Sequence, residues 1–137
     1  MNKELIQKLI GHAKKFAENA YCPYSGIPEG VSVLVEGPEG RSILGGCNVE
    51  TPYEQFGAGK LAMVKAISEG YTSFIAICFW TEKGLPYPQG GFLQFATEFV
   101  TGHSDELSII VANDETYSIH KLYELLPFQR LVTQEEN

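Results

Sequence analysis

Apolar and polar positions change period several times along the chain, and each change marks an element. Leu5, Leu9, Ala13, Phe16 and Ala20 fall on one stripe of a predicted helix over residues 3–20, with Lys8, Lys14, Lys15 and Glu18 mostly off it. Tyr21-Cys22-Pro23-Tyr24-Ser25-Gly26 is expected to end that helix, because Pro23 disfavours its continuation. Val31, Val33 and Val35 then alternate with Ser32, Leu34 and Glu36, a strand pattern. Gly37-Pro38-Glu39-Gly40 makes a turn, and residues 41–45 form the returning strand. A second helix carries Ala58, Leu61, Ala62, Met63, Val64, Ala66 and Ile67 on nearly all its sides, which predicts burial, and Gly70 stops it. Residues 74–80 are unbroken apolar, as in a strand covered on both faces. A loop over residues 81–91 leads to Phe92, Phe95 or Ala96, and Phe99 at helical spacing. Residues 107–112 read as a fourth strand, 116–119 as a short fifth, and 120–126 as a terminal helix closed by Pro127. Strands alternating with helices point to an α/β sandwich. The loop bearing Asn48 and Glu50 enters the central helix among glycines, and a small molecule is expected at that junction.

Composition narrows the function classes. The 137 residues suit one domain over 1–137 with a full core, and 44% hydrophobic with 20% charged residues is ordinary for a globular chain. A formal net charge of −7 argues against a nucleic-acid backbone as partner. No apolar run reaches the roughly 20 residues of a membrane span. Met1-Asn2-Lys3-Glu4-Leu5 does not read as a secretory signal. Three cysteines without a signal suggest reduced thiols, and a cytoplasmic location is expected.

Four segments in order resemble the small cytidine deaminases, including the blasticidin deaminase branch. Tyr21-Cys22-Pro23-Tyr24-Ser25 is similar to the family's Y-x-P-Y-S, and Gly46-Cys47-Asn48-Val49-Glu50 to its G-C-N-[IV]-E. Val64-Lys65-Ala66-Ile67-Ser68-Glu69-Gly70 resembles the end of its central helix, and Glu124-Leu125-Leu126-Pro127 its terminal E-L-L-P. The resemblance implies a three-layer α/β/α sandwich with a five-stranded mixed sheet. It also implies that Asn48 and Glu50 bind the hydroxyls of a nucleoside sugar, and that the chain assembles as a homo-oligomer, a tetramer or dimer.

The family is a zinc hydrolase in which the metal activates a water and a glutamate shuttles protons. Aligned through Ser68-Glu69-Gly70, its first metal ligand falls on Gly57 and its catalytic glutamate on Gly59. Its two later cysteine ligands fall on Gln89 and Phe92 within Pro88-Gln89-Gly90-Gly91-Phe92. Zinc needs three protein ligands of thiolate, imidazole or carboxylate type, plus an open position for water. Glycine and phenylalanine offer none, and Gln89 is a poor one. Zinc is therefore the cofactor expected of the family but not of this chain. Lys60 and Leu93 stand where the family has arginines beside its thiolates, and Ile27 where it has an aromatic.

Two accounts of the replaced positions follow. In one, small residues drifted in and Phe92 refills the void left by metal and thiolates. In the other, Gly57 and Gly59 deepen a pocket onto which two helix starts open their amides, and Gln89 adds an amide that reads a base edge. The resulting expectation is a nucleoside-binding protein without zinc-dependent deamination. The alternatives are a metal-free chemistry on a nucleoside or nucleotide, and a structural subunit of an active deaminase. His12, His103 and His120 read as surface or capping histidines, Cys22 and Cys78 as structural thiols, and Cys47 as a non-ligand. His103-Ser104-Asp105 has the composition of a triad, but adjacent residues cannot adopt its geometry.

Overall fold

The computed structural model describes residues 1–99 and 107–126. The element order is α1 (Lys3–Ala17), β1 (Glu29–Gly37), β2 (Gly40–Cys47), β3 (Val49–Glu50), β4 (Gln55–Phe56), α2 (Ala58–Ser68), β5 (Ser73–Thr81), α3 (Gly90–Thr97), β6 (Ser108–Ala112), β7 (Tyr117–Lys121) and α4 (Leu122–Leu125). Five strands form one mixed sheet in the order β2-β1-β5-β6-β7. Only β5 and β6 run parallel; the other pairs are antiparallel. The connection between the parallel pair passes through α3, as parallel neighbours require a crossover.

The two faces of the sheet bury different helices. On one, Ile6, Leu9, Ala13 and Ala17 of α1 pack against Leu34, Ala76, Cys78, Trp80, Ile110 and Ala112. On the other, Ala62, Met63 and Ala66 of α2 and Leu93 and Ala96 of α3 pack against Val33, Ile77, Phe79 and Ile109. The three-layer α/β/α architecture expected from the resemblance is therefore the observed one. Because β1 is covered on both sides, Ser32 is also buried, and its hydroxyl donates to the Leu9 carbonyl at 2.7 Å. That bond satisfies the one polar side chain an otherwise apolar layer contains at this point.

The first helix differs from its expected form in length and facing. It ends at Ala17, and its buried stripe is Ile6, Leu9, Ala13 and Ala17, leaving Leu5 and Phe16 half-buried. The Asn2 side chain caps its start by accepting the Leu5 N–H at 2.8 Å. The chain leaves the helix before Pro23 because Tyr21 pairs instead with the strand edge: its N–H donates to the Asn48 carbonyl at 3.0 Å, and its carbonyl accepts from Glu50 N–H at 2.8 Å.

The C-terminal segment also departs from expectation. The fifth strand runs on through His120 to Lys121, and only Leu122–Leu125 is helical. His120 pairs with Ile109 in the ladder, and that pairing outweighs the helical spacing of the following leucines. The proposed stop at Pro127 lies outside the described residues. Gly70, by contrast, ends α2 as expected, with φ at 99°, a left-handed conformation that glycine adopts without side-chain clash.

Candidate functional site

A cavity of about 470 Å³ opens at the carboxyl end of β5, the side on which ligands sit in open α/β sheets. One wall comes from the chain entering β1 and from β3; the other comes from the first turns of α2 and α3. Asn48, Glu50, Gly57, Gly59, Gln89 and Phe92 all line it, so these six residues share one space, whereas Ile27 and Leu93 do not line it.

Glu50 is buried, unlike the solvated carboxylate a loop glutamate commonly provides. Its Oε1 accepts the backbone N–H groups of Tyr24 at 3.1 Å and Ser25 at 2.9 Å. The Ser25 side chain, then the Ser25 and Tyr24 amides, hold the carboxyl below the usual carboxylate range, against an opposing effect of burial. Asn48 is fixed in both directions. Its Oδ1 accepts the Glu29 N–H at 2.9 Å, and its Nδ2 donates to the Ile27 carbonyl at 2.9 Å. A carboxamide has two acceptor lone pairs and two N–H groups, so one of each remains for a ligand. These two residues thus tie the 21–29 segment to the strand edge and at the same time present polar atoms to the cavity.

The helix starts form the other wall. Gly57 caps α2 and Gln89 caps α3 in extended conformations, and neither helix has a side-chain cap. The first N–H groups of a helix have no partner within it, so both ends direct donors at their surroundings. Gly57 and Gly59 are not equivalent. A Cβ at Gly57 would meet open space. A Cβ at Gly59 would lie 2.8 Å from Phe79 Cε1 and 2.9 Å from Phe92 Cε1, closer than real contacts allow. The two phenyl rings meet edge-on, 5.2 Å between centroids at 86°, and fill the space in front of Gly59. Lys60, beside it, carries its ammonium 5.5 Å from the centre of the Phe95 ring.

A side chain at Gly59 therefore requires the Phe79 or Phe92 ring to shift. Gly57 offers no donor, Gln89 is exposed, and Phe92 contributes a ring. Among the described residues, no group of three His, Cys, Asp or Glu side chains could hold a metal ion. The residues present do not fit a zinc centre.

Several contributors escaped the sequence reading. Glu29, at the start of β1, lines the cavity; it stands between the motif ending at Ser25 and the strand pattern beginning at Val31, where no pattern marks it. Burial pushes its carboxyl above the usual range, and among the described residues its side chain has no hydrogen-bond or ion-pair partner. Phe79 lay inside an apolar run in which no single residue stands out. Tyr87 and the small β3–β4 hairpin, with Gln55 and Phe56, also line the opening. A two-residue strand pair has too little pattern to be legible.

The other reactive candidates lie elsewhere. His120 sits on β7, its Nε2 2.8 Å from Ser118 Oγ and its ring beside Tyr87. His103 lies outside the described residues. Cys78 is buried beneath α1, and burial pushes its thiol up to about 12, so it stays protonated. Cys47 is raised too, first by burial and then by nearby Cys22.

Comparison with known proteins places this geometry. No family model matches the chain. A cytidine deaminase of Sporosarcina psychrophila is 38% identical over 100 residues, which cover 71% of each protein. The chain belongs to the cytidine deaminase family. A probable cytidine deaminase of Dictyostelium discoideum is 32% identical over 133 residues, covering 93% of this chain and 84% of that protein. The crystal structure of the Burkholderia pseudomallei cytidine deaminase superposes with a TM-score of 0.78 at 29% identity, over 95% of this chain and all of that one. The Mycobacterium tuberculosis enzyme shares the fold, with a TM-score of 0.73. Among the described residues no helix is long and apolar enough to cross a membrane.

Proposed function

We propose that this member of the cytidine deaminase family binds a nucleoside or a related small molecule and has lost zinc-dependent deamination. The observation that carries the reading is the Phe79–Phe92 pair packed against Gly59, which occupies the space a catalytic side chain needs. The cavity beside it remains, with hydrogen-bonding groups on both walls. Asn48 and Glu50 supply acceptors and a donor suited to sugar hydroxyls, and the uncapped starts of α2 and α3 supply amide donors suited to a base carbonyl. Gln89 at the rim offers a carboxamide that pairs with a base edge.

Calorimetric titration of cytidine, uridine and purine nucleosides, alongside a deamination assay with added zinc, tests the reading. Saturable binding without turnover is expected. Failure of every nucleoside to bind at millimolar concentration removes the binding claim, and zinc-dependent ammonia release removes the other. Assembly into a homo-oligomer belongs to the same proposal. Tyr21, Tyr24, Ile27, Tyr53 and Phe56 are large apolar side chains left exposed on this chain, and Phe56 also lines the cavity. Light scattering after size exclusion reads the mass directly, and a monomer at micromolar concentration would remove that part.

A further inference from the structure

The three cysteines sit in two different settings. Cys78 is fully buried beneath α1, whereas Cys22 and Cys47 are half-buried free thiols. Register and packing bring these two to one corner of the sheet. Cys47, at the end of β2, stands directly opposite Gly30 of β1. Opposed residues of an antiparallel pair share a face. A Cβ at Gly30 would press on the Ala13 carbonyl and the Ala17 amide nitrogen, so that face is the one the last turns of α1 cover.

Cys22 lies just beyond the end of the same helix. Its neighbour Tyr21 donates its N–H at 3.0 Å to the carbonyl of Asn48, the neighbour of Cys47. The Tyr21 carbonyl also accepts the Glu50 N–H at 2.8 Å, in a parallel bridge between Tyr21 and Val49. The two cysteines thus adjoin the two residues that one backbone hydrogen bond joins. In keeping with that, the Cys47 thiol is raised first by burial and then by the charge of Cys22. Cys78 takes no part: β1 separates β5 from β2, which sets it roughly 9 Å or more from Cys47, beyond the roughly 7 Å between Cα atoms that a disulfide spans.

The segment that starts at Cys22 is also a wall of the cavity. Its Tyr24 and Ser25 amides hold the Glu50 carboxylate, and its Ile27 carbonyl and Glu29 N–H hold the Asn48 side chain. These bonds are part-buried or exposed, so the segment is open to local unfolding. A covalent bond at its base would restrain that opening.

We propose that Cys22 and Cys47 form a reversible disulfide that locks the 22–29 segment against the strand edge carrying Asn48 and Glu50. The oxidant is a low-molecular-weight disulfide such as glutathione disulfide. One cysteine thiolate attacks it and releases one glutathione thiolate; the second cysteine thiolate then displaces the other glutathione. Two S–H bonds are lost and one S–S bond forms in the protein, while both electrons and both protons end on two glutathione thiols. This goes beyond the nucleoside reading and stands whether or not that reading does.

The test follows the reduced full chain through oxidation. The protein is equilibrated in glutathione buffers from wholly reduced to wholly oxidised, free thiols are capped with iodoacetamide, and the chain is mapped by proteolysis and mass spectrometry. A Cys22–Cys47 cross-link within one chain is expected, about 2 Da lighter than the reduced form. Hydrogen exchange over residues 22–29 should slow about tenfold in the oxidised form and recover with dithiothreitol. Cys22→Ser should keep the reduced exchange rate under the same oxidant, and its melting transition shows that it is folded. Thiols that persist in glutathione disulfide, glutathione attached to either cysteine with no bond between them, or a bond between two chains overturns the proposal. So does a cross-link that leaves exchange over residues 22–29 unchanged.

Discussion

Replacing Gly59 with alanine isolates the packing of the Phe79 and Phe92 rings against the start of α2. Gly59 lies in the first turn of α2 with no positive φ, so alanine suits the backbone, and only space opposes it. In an open helix interior the change would stabilise by about 1 kcal/mol, and by less in the first turn. Here the new Cβ would stand 2.8 and 2.9 Å from Phe79 Cε1 and Cζ and 2.9 Å from Phe92 Cε1. Overpacking of that kind costs about 1–3 kcal/mol. The expected net loss is about 1–2 kcal/mol, a fall in Tm of about 3–8 °C by calorimetry for a domain of this size. Phe92→Ala removes one side of the ring pair; since Phe92 is half-buried, its cost should be about 2 kcal/mol, below the range for fully buried phenylalanines. In the double variant the new methyl moves into the vacated space, so the two costs should fall short of additive by about 1 kcal/mol or more. A Gly59→Ala protein at or above the wild-type Tm, or strict additivity with Phe92→Ala, would refute the claim that the rings close this position.

The carboxylates give pH predictions of opposite sign. The folded pKa of Glu50 lies below its ordinary value of 4.5, so its contribution is present above that value and is lost as pH falls through the folded pKa; Glu50→Gln should be destabilised in urea at neutral pH and converge on wild type in acid. Glu29 is raised by burial, so its favourable neutral form stabilises below 4.5 and that benefit is lost as pH rises through the folded pKa; Glu29→Gln should melt higher than wild type at neutral pH, with the gap closing in acid. Asn48→Ala strands the Glu29 N–H and the Ile27 carbonyl and should cost about 1 kcal/mol by chemical denaturation, the partial exposure of these groups keeping it at the low end. Gly57→Ser has open space for its side chain and should add a few tenths of a kcal/mol through an N-cap, while weakening any nucleoside that uses the α2 amides in titration.

Long periodic segments made the fold legible. The all-round apolar face of α2 and the unbroken run of β5 are determined by burial on both sides, and both elements stand where the sequence puts them. Boundaries set by pairing were not legible. The early exit from α1 follows from a bridge between Tyr21 and Val49, and the extension of β7 from its ladder with β6, both contacts between residues far apart in the chain. The site divides in the same way. Asn48, Glu50, Gly57, Gly59, Gln89 and Phe92 were legible because short motifs fix their order, and all six meet at the cavity. Glu29 and Phe79 were not, because what distinguishes each is a neighbour supplied by another strand or helix. Asn48, expected from the resemblance to bind a sugar hydroxyl, also braces the loop through both ends of its side chain, a role its position in the motif did not reveal.

The zinc content of the chain, purified from zinc-supplemented cells without chelators and measured by mass spectrometry of the element, bears most directly on the proposed loss of a metal centre. With Gly57, Gln89 and Phe92 at the positions the resemblance aligns with zinc ligands and two phenyl rings against Gly59, well under one zinc per ten chains is expected. One zinc per chain, retained through dialysis, would contradict the account.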